Sequence, residues 1–513
     1  MFLTHPVSIP MPQSSLPVTS LDLMHLTEAL EGNDPPLDSE IPLIRQIISE
    51  EVAQVAASDA QMRGLEDAPT ELVAKRAEAV ERIRQYRGLI SPVRRVPPEL
   101  VCEIFALLLE DDEEIPPKPL WWLGHICRSW RFFVLGDSQF WTSIIIPTSP
   151  LRSDDCSMIE AQLLRSANAL LKVYWVLSKR ARTTPTMDPR MADLIVAECG
   201  RWASFHIDAP RLKSVEALDW LRPVKGRLST LRKLEVLNEE DIVPDVFGIA
   251  PSLREVYLTE WDAGLHSPSI SIPWEQITRY RGAYGPKAQL AILQAASNVV
   301  HCVVGCEGTF EPDDLPSVAL PRLRSLLIEH PDWLDRLKVP LLENLACPIG
   351  EESRLTALLS FIRNSSCSLK RLVLVECAIS PQLITALRGL PTLTHLVISP
   401  YLDSEAGNQT AFFDAMTVSE TSSEVICPSL ISFGYRAGEG VFPLDVFLTM
   451  IKSRLRPNHP LNARLTRLRV FDTDDSIEPG SLNAPFQLLC NDGVDAAFLV
   501  GDIEDLVKAE ALF

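Results

Sequence analysis

One pattern restricts the fold of this chain more than any other: a short window with apolar residues at positions one, four and six, repeated along its length. The copies are Leu231-Leu234-Val236, Leu253-Val256-Leu258, Val299-Cys302-Val304, Leu323-Leu326-Ile328, Leu342-Leu345-Cys347, Leu369-Leu372-Leu374, Leu393-Leu396-Ile398, Leu430-Phe433-Tyr435 and Leu465-Leu468-Val470. A weaker copy is Ile277-Tyr280, and earlier candidates are Trp202-Phe205-Ile207 and Leu171-Tyr174-Val176. With 46% apolar residues a single window carries little, because chance supplies about one in ten. The spacing carries the argument: most copies follow one another at roughly 19 to 27 residues. Several share a lead-in, Pro251-Ser252-Leu253, Pro321-Arg322-Leu323, Pro391-Thr392-Leu393 and Pro428-Ser429-Leu430. Between copies lie helical segments, 287–296, 354–362, 381–387 and 444–455. A short strand plus a helix cannot bury its own apolar face, whereas a stack of such units shares one continuous core. The intervals 393–430 and 430–465 are long, and 402–427, rich in Ser, Thr and Glu, is expected to protrude as a loop.

The N-terminal part follows another rule. Six prolines among residues 1–40 leave room for little beyond a short helix near 21–30, so this part reads as a disordered tail. Ile41, Ile44, Ile48, Val52, Val55 and Met62 fall at helical spacing, and Leu72, Val73, Ala77, Val80 and Ile83 form a second stripe after the break at Pro69. Glu71/Lys75 and Glu78/Arg82 are i,i+4 pairs on the other side of that second helix. Residues 41–88 are therefore expected to form an amphipathic helical hairpin or short coiled coil.

The stretch 89–141 is the most specific. Pro97-Pro98 places proline at a helix start and Glu99 in its first turn. Leu100, Ile104, Leu107 and Leu108 line one stripe, with Val101 and Phe105 beside it, a wider apolar surface than a short helix packed on one side requires. After the acidic, proline-rich insert 110–119, Ile126, Trp130 and Phe133 stand at i, i+4 and i+7. Val96-Pro97-Pro98-Glu99, Ile104-Phe105, Ile126-Cys127-Arg128-Ser129-Trp130-Arg131 and Phe140-Trp141 resemble an F-box. This is the helical module by which substrate receptors dock onto the Skp adaptor of cullin–RING ubiquitin ligases. The wording is similar to the large fungal, mushroom-type F-box proteins, and the C-terminal repeats at leucine-rich-repeat spacing fit that architecture. Val96 stands where a leucine is common before the first proline, and the insert separates the helices more widely than in a minimal F-box.

The resemblance implies an adaptor-binding set of Pro97, Pro98, Leu100, Ile104, Ile126, Cys127 and Trp130, with Trp141 packing between the F-box and the first repeats. The expected fold is mixed α and β. It comprises the tail (1–40), the helical hairpin (41–88), the F-box (89–141), a degenerate leucine-rich-repeat-like α/β solenoid (142–491) and a C-terminal cap or tail (492–513). The function it implies is a non-catalytic substrate receptor of a Skp–cullin–F-box ligase; the alternative is a leucine-rich-repeat scaffold with no ligase role.

Composition narrows the partners. There are 68 acidic against 48 basic side chains, a net charge of −20, which repels a phosphate backbone. No nucleic acid is expected. Eleven cysteines with no CxxC read as small buried hydrophobes of a reducing compartment. No apolar run approaches a membrane span, and the start Met-Phe-Leu-Thr-His-Pro lacks a signal peptide's basic and apolar regions, so a cytoplasmic or nuclear location with no membrane partner is expected. The chain shows no HExxH, nucleophile elbow or Walker loop, and no catalytic residue, metal or cofactor is expected. His301, Cys302 and Cys306 could supply metal ligands, but His301 and Cys302 point to opposite faces of a strand.

The second partner is expected to be a protein target, on the side chains between the apolar positions of each strand. These include Lys233, Glu235, Glu255, Tyr257, Arg279, Arg281, His301, Asn344, Arg371, His395, Arg467 and Arg469. Tyr257, Arg279, Arg281, His301, Arg371 and His395 are the target-binding candidates. Recurrent basic residues there point to an acidic or phosphorylated segment, whose oxygens match the planar fork of arginine.

Overall fold

The structure is a computed structural model. It describes residues 29–30, 35–63, 70–108, 120–147, 154–177, 187–209, 215–238, 245–260, 270–306, 315–350, 353–401, 406–419, 424–437, 442–455, 463–472 and 479–500. The insert 110–119, most of the tail expected over 1–40 and residues 501–513 lie outside them. The chain divides into two compact units, Met1–Ser143 with Ala161–Ala169, and Ile144–Glu160 with Leu170–Phe513.

The first unit is helical. α1 (Ile41–Met62) and α2 (Thr70–Leu89) pack as the expected hairpin, but on different faces from those the apolar spacing suggests. Ile44, Ile47, Glu51 and Ser58 are buried on α1, and Ala79, Tyr86 and Leu89 on α2, while Val52, Val73 and Val80 are exposed. An ion pair sets this phase: Arg82 grips Glu51 with Nε–Oε1 at 2.7 Å and Nη2–Oε2 at 3.0 Å. A bidentate pair in the seam needs both side chains turned inward, which rotates the valines out. Glu71–Lys75 and Glu78–Arg82 are also formed, at 2.8 and 3.8 Å.

Next come α3 (Pro98–Leu107) and α4 (Arg128–Gly136), with a 3-10 turn, Leu120–His125, before α4. Their core is Val101, Phe105, Leu123, Val134, Phe140 and Trp141. Trp141 belongs to this core itself: its indole Nε1 donates to the Val134 carbonyl at 2.7 Å, and the Arg165 guanidinium lies 4.5 Å over its ring.

The second unit is built on one sheet whose fourteen strands lie in chain order, the arrangement of an α/β solenoid. The strands are β1 (Ser143–Ile146), β2 (Leu171–Val176), β3 (Trp202–Ala209), β4 (Lys233–Asn238), β5 (Glu255–Glu260), β6 (Arg279–Tyr284), β7 (His301–Cys306), β9 (Ser325–Ile328), β11 (Asn344–Gly350), β12 (Arg371–Cys377), β13 (His395–Pro400), β14 (Ser432–Ala437), β15 (Arg467–Asp472) and β16 (Asp495–Val500). β8 (Val318–Ala319) and β10 (Leu337–Lys338) form a separate two-stranded parallel pair. From β2 to β16 every neighbouring pair in the large sheet is parallel.

Each repeat window from Trp202 onward becomes a strand, and positions one, four and six turn into the core. The register aligns them: Leu372 partners Leu396, and Leu396 partners Phe433, which partners Leu468. The window at Leu171 is out of phase by one residue. The β2/β3 register shifts between Leu171 and Lys172, so Val173 and Trp175 pair with Phe205 and Ile207, and Tyr174 falls on the opposite face beside His206. An inserted residue in a strand exchanges its two faces from that point on.

Helices fill the core between strands: α5 (Asp155–Arg165), α6 (Pro189–Ala197), α7 (Pro286–Ala295), α8 (Ser353–Ser365), α9 (Pro381–Arg388), α10 (Ala406–Met416), α11 (Leu444–Leu455) and α12 (Pro479–Asn491). Asp188 and Ser380 cap α6 and α9 from the position before a proline, each accepting a backbone N–H of the first turn. α10 replaces part of the loop expected over 402–427. Its polar stretch hides an apolar face, Phe412, Phe413 and Met416, buried against Phe447 and Tyr435 with ring centroids 5.2 and 5.0 Å from Phe413. The segment expected as a cap contributes one more strand, β16, which pairs along β15 from Asp495 to Val500.

Candidate functional site

Two surfaces gather the candidate residues, one in each unit. In the first, α3 carries two apolar stripes one residue apart. Val101 and Phe105 turn inward, Phe105 meeting Trp130 edge-on at 4.8 Å and Phe140 at 6.1 Å. Leu100, Ile104, Leu107 and Leu108 turn outward; Leu100 and Ile104 are 55% and 54% exposed. Pro97 and Pro98 are exposed at the helix start, where Pro97 caps and Pro98 takes the first helical position. Ile126 is 52% exposed. Cys127 has a local duty: it precedes α4, and its sulfur accepts the Trp130 N–H at 3.4 Å. Trp130 is half-buried against the core, so it holds α3 to α4 from beneath the surface.

The exposed set is larger than the sequence indicates. Trp122 and Leu135 are also exposed, and Phe132 is 75% exposed. The run Trp130-Arg131-Phe132-Phe133 holds three aromatic residues: Trp130 and Phe133, on the spaced stripe, pack against the core, and Phe132, off it, stands in solvent.

In the second unit, alternate strand residues form rows on the face opposite the core. One row reads Lys233, Glu255, Arg279, His301, Ser325, Asn344, Arg371, His395, Ser432, Arg467 and Asp495, partner to partner across β4 to β16. The next row contains Glu235, Tyr257, Arg281 and Val303, then Leu327, Ala346, Val373 and Val397. Its later members pack with Phe471 into an apolar cluster of their own. The six target-binding candidates thus fall into two groups. Tyr257, Arg279, Arg281 and His301 are neighbours on β5 to β7, and Arg371 and His395 are partners on β12 and β13. Three strand steps, about 14 Å, separate His301 from Arg371.

The two groups differ electrically. Beside the first, Glu235 lies 3.2 Å from His206 Nδ1 and 3.6 Å from Lys233 Nζ, and that ammonium sits 4.5 Å over the Tyr257 ring. Burial pushes the Glu235 carboxyl up, but the His206 hydrogen bond and the charges of His206 and Lys233 outweigh it and leave the carboxyl below its usual range. Around the second group, burial and then the charges of Arg371 and Arg467 drive the His395 imidazole down to about 4. His301 is also lowered, by burial first and Arg279 second.

Cys302 turns into the core and His301 to the other face, and among the described residues no group of three His, Cys, Asp or Glu side chains is placed to hold a metal ion. Burial pushes the Cys377 and Cys427 thiols up to about 12, far from a reactive thiolate. Among the described residues no helix is long and apolar enough to cross a membrane. No family model matches this chain, and no curated protein matches it either.

Proposed function

We propose that the chain is a non-catalytic substrate receptor of a Skp–cullin–F-box ubiquitin ligase, with its first unit as an F-box and its second as a degenerate leucine-rich-repeat solenoid. The observation that carries this reading is the outward stripe Leu100, Ile104, Leu107 and Leu108 on a helix whose opposite stripe is packed. A contiguous apolar surface left in water on a short helix marks a protein interface. It includes Leu100 and Ile104, two of the residues that the F-box resemblance assigns to adaptor binding. Burying Leu100 and Ile104 against an adaptor would contribute roughly 1 kcal/mol each, half the value for full transfer.

The repeat unit supplies the second contact, to a protein target, through the polar rows of its sheet. The receptor makes and breaks no bond; its contribution to rate is the raised local concentration of target lysines beside the ubiquitin-charged enzyme. Its partners are the adaptor and the target, in the cytoplasm or nucleus, with no cofactor.

Co-purification of the full chain with a Skp adaptor tests this. Wild type is expected to retain the adaptor, and Leu100→Lys with Ile104→Lys to lose it while the unfolding transition stays in place, because both side chains already stand outside the core. Retention by the double variant would overturn the docking face. No adaptor bound to wild type would leave the chain a repeat scaffold.

A further inference from the structure

Burial is uneven along one row of the outer sheet face. From Val303 the row passes through Leu327 to Ala346, Val373 and Val397, and it ends at Ala497 on β16. Val303, Leu327 and Ala497 are half-buried, but Ala346 and Val373 are 1% exposed and Val397 2%. Two residues further along the strands, Phe471 stands between Arg436 and Leu499 and is also 2% exposed, although β16 is the last strand of the sheet. These four residues form one apolar cluster, with Leu327, Val375 and Leu499 at its margin. On a sheet face neighbouring side chains shield the flanks of a residue and leave its outer end in water, so burial this complete calls for a cover from above. α10 and α11 pack on the opposite side, against the core-row rings of Tyr435 and Phe433.

The chain carries a segment of matching chemistry next to this cluster. Leu499, at the cluster margin, is followed by Val500 and then by residues 501–513. Five large apolar side chains, Ile503, Leu506, Val507, Leu512 and Phe513, are interspersed there with four carboxylates against one lysine. The face has the complementary make-up. Beside the apolar cluster, Arg467 Nε and Arg469 Nη2 share the single carboxylate of Asp495, at 3.3 and 2.6 Å, which leaves the group with an excess of positive charge. Crossing from β16 to β11 takes five strand spacings, about 24 Å. Thirteen residues, 501–513, reach about 43 Å when extended, so the length suffices.

We propose that residues 501–513 fold back over β11 to β15 as an internal ligand of the outer sheet face, their apolar side chains on Val373, Val397 and Phe471 and their carboxylates towards Arg467 and Arg469. The segment then occupies the face that carries Arg371 and His395, and any partner of that face has to displace it. Because it is tethered, it competes at an effective concentration of about millimolar. That the displacement gates target capture rests on the receptor reading; the contact itself does not.

The test places the photo-cross-linking residue p-benzoylphenylalanine at position 507 of the full chain and maps the irradiated protein by mass spectrometry. Cross-links within one chain to β11–β15 are expected. Cross-links only to other parts of the chain, or none, would overturn the proposal, and a product of twice the mass would assign the face to a second copy instead. In a second experiment a fluorescent peptide with the sequence of 501–513 is titrated into wild type and into the full chain with Leu506→Asp and Val507→Asp, whose own segment has lost its apolar contacts. The peptide should bind the variant at least about tenfold more tightly than wild type, because the tethered competitor is gone. The same peptide with Glu504→Lys and Asp505→Lys should bind the variant several-fold more weakly. Equal affinity for the two chains, or no saturable binding to the variant, would overturn the internal ligand. Adaptor co-purification is measured on the same preparations, so an adaptor retained while the cross-links fall elsewhere discards the internal ligand and leaves the receptor reading standing.

Discussion

Leu100 and Ile104 on α3 and Leu396 and Ile398 on β13 are the same kinds of side chain in equally regular patterns, yet the first two stand more than half in water and the second two are fully buried. The difference lies in what each element has for neighbours. β13 is flanked by β12 and β14, each repeating the same apolar positions in register, so every face that one unit leaves open the next one closes. Among the described residues α3 has no successor of its own kind. It packs one stripe on α4 and leaves the other outside. In a stacked architecture surplus apolar surface is absorbed by the next unit, whereas in a lone helix pair it remains available to a partner.

The largest test of this contrast is a pair of truncations followed by urea unfolding of the full chain. Phe433→Ala removes a fully buried ring that packs near Tyr435 and Phe447 and is expected to cost about 3 to 5 kcal/mol. Ile104→Ala should cost less than about 1 kcal/mol, because its methyls lie mostly in solvent. Comparable losses would mean that the outer stripe of α3 belongs to the folded core after all.

A second test concerns the one arginine that is buried among the described residues of the repeat unit. Arg454 on α11 is buried, and its guanidinium makes four hydrogen bonds to backbone carbonyls: two to Met416, one to Ile426 and one to Cys427. Burial lowers its pKa to about 10 but leaves it charged at neutral pH. It ties the end of α10 to the turn before β14 and supplies donors to the Met416 and Ile426 carbonyls, alongside the Leu430 N–H that Cys427 already accepts. Arg454→Met should lose about 3 kcal/mol, the cost of leaving the Met416 and Ile426 carbonyls buried without this donor, since the Cys427 carbonyl also accepts the Leu430 N–H. A loss near zero in the same urea titration would show that the apolar stack tolerates the gap.

What the sequence reveals and what it hides follow from the same contrast. The strand windows are legible because a parallel repeat imposes one spacing on each copy, and Trp202 through Leu465 keep it. The β2 window is misread because a bulge at Leu171/Lys172 leaves no mark in residue type. The hairpin seam is misread because spacing assigns valines inward, while the Glu51–Arg82 pair claims that position. α10 is hidden because Phe412, Phe413 and Met416 sit among Ser, Thr and Glu, so the local average conceals the face. On α3 the two stripes are visible as residues, but which of them is the core depends on Trp130 and Phe140, distant in sequence. The target-binding candidates are individually well placed on the outer strand face. Their separation into two groups follows from β9 and β11, whose Ser325 and Asn344 stand between His301 and Arg371.

Smaller than the Phe433 truncation is the effect of one methyl group added between neighbouring strands. Gly434 on β14 lies beside Val397, and a Cβ there would meet Val397 Cγ2 at 2.9 Å and Cγ1 at 3.2 Å. Val397 is itself buried in the apolar cluster with Val373 and Phe471, so it has little room to yield. Gly434→Ala should destabilise the chain by about 1 to 3 kcal/mol. Gly136→Ala, at the end of α4 with nothing within 4 Å of the added carbon, should be near neutral in the same thermal or urea melt. Equal effects would break the contrast between a stack packed on every side and a helix with an open flank.

The last test is a pH dependence in the polar row. His395 titrates near 4 when folded, against an ordinary value of 6.5, because burial and the charges of Arg371 and Arg467 disfavour the imidazolium. Between those two values the unfolded chain binds a proton that the folded chain does not. Stability therefore rises with pH across this window and is lost as pH falls from about 6.5 towards 4. The contribution is complete above 6.5, where both states are neutral. His395→Gln removes the titrating group while keeping a donor, so the slope of unfolding free energy against pH should flatten between pH 4 and 6.5 in the variant compared with wild type. The helical unit supplies the control, since Ile104→Ala leaves His395 in place and should reproduce the wild-type slope. A slope that survives His395→Gln would place the titration elsewhere and remove the evidence that Arg371 and Arg467 together set the field at this row.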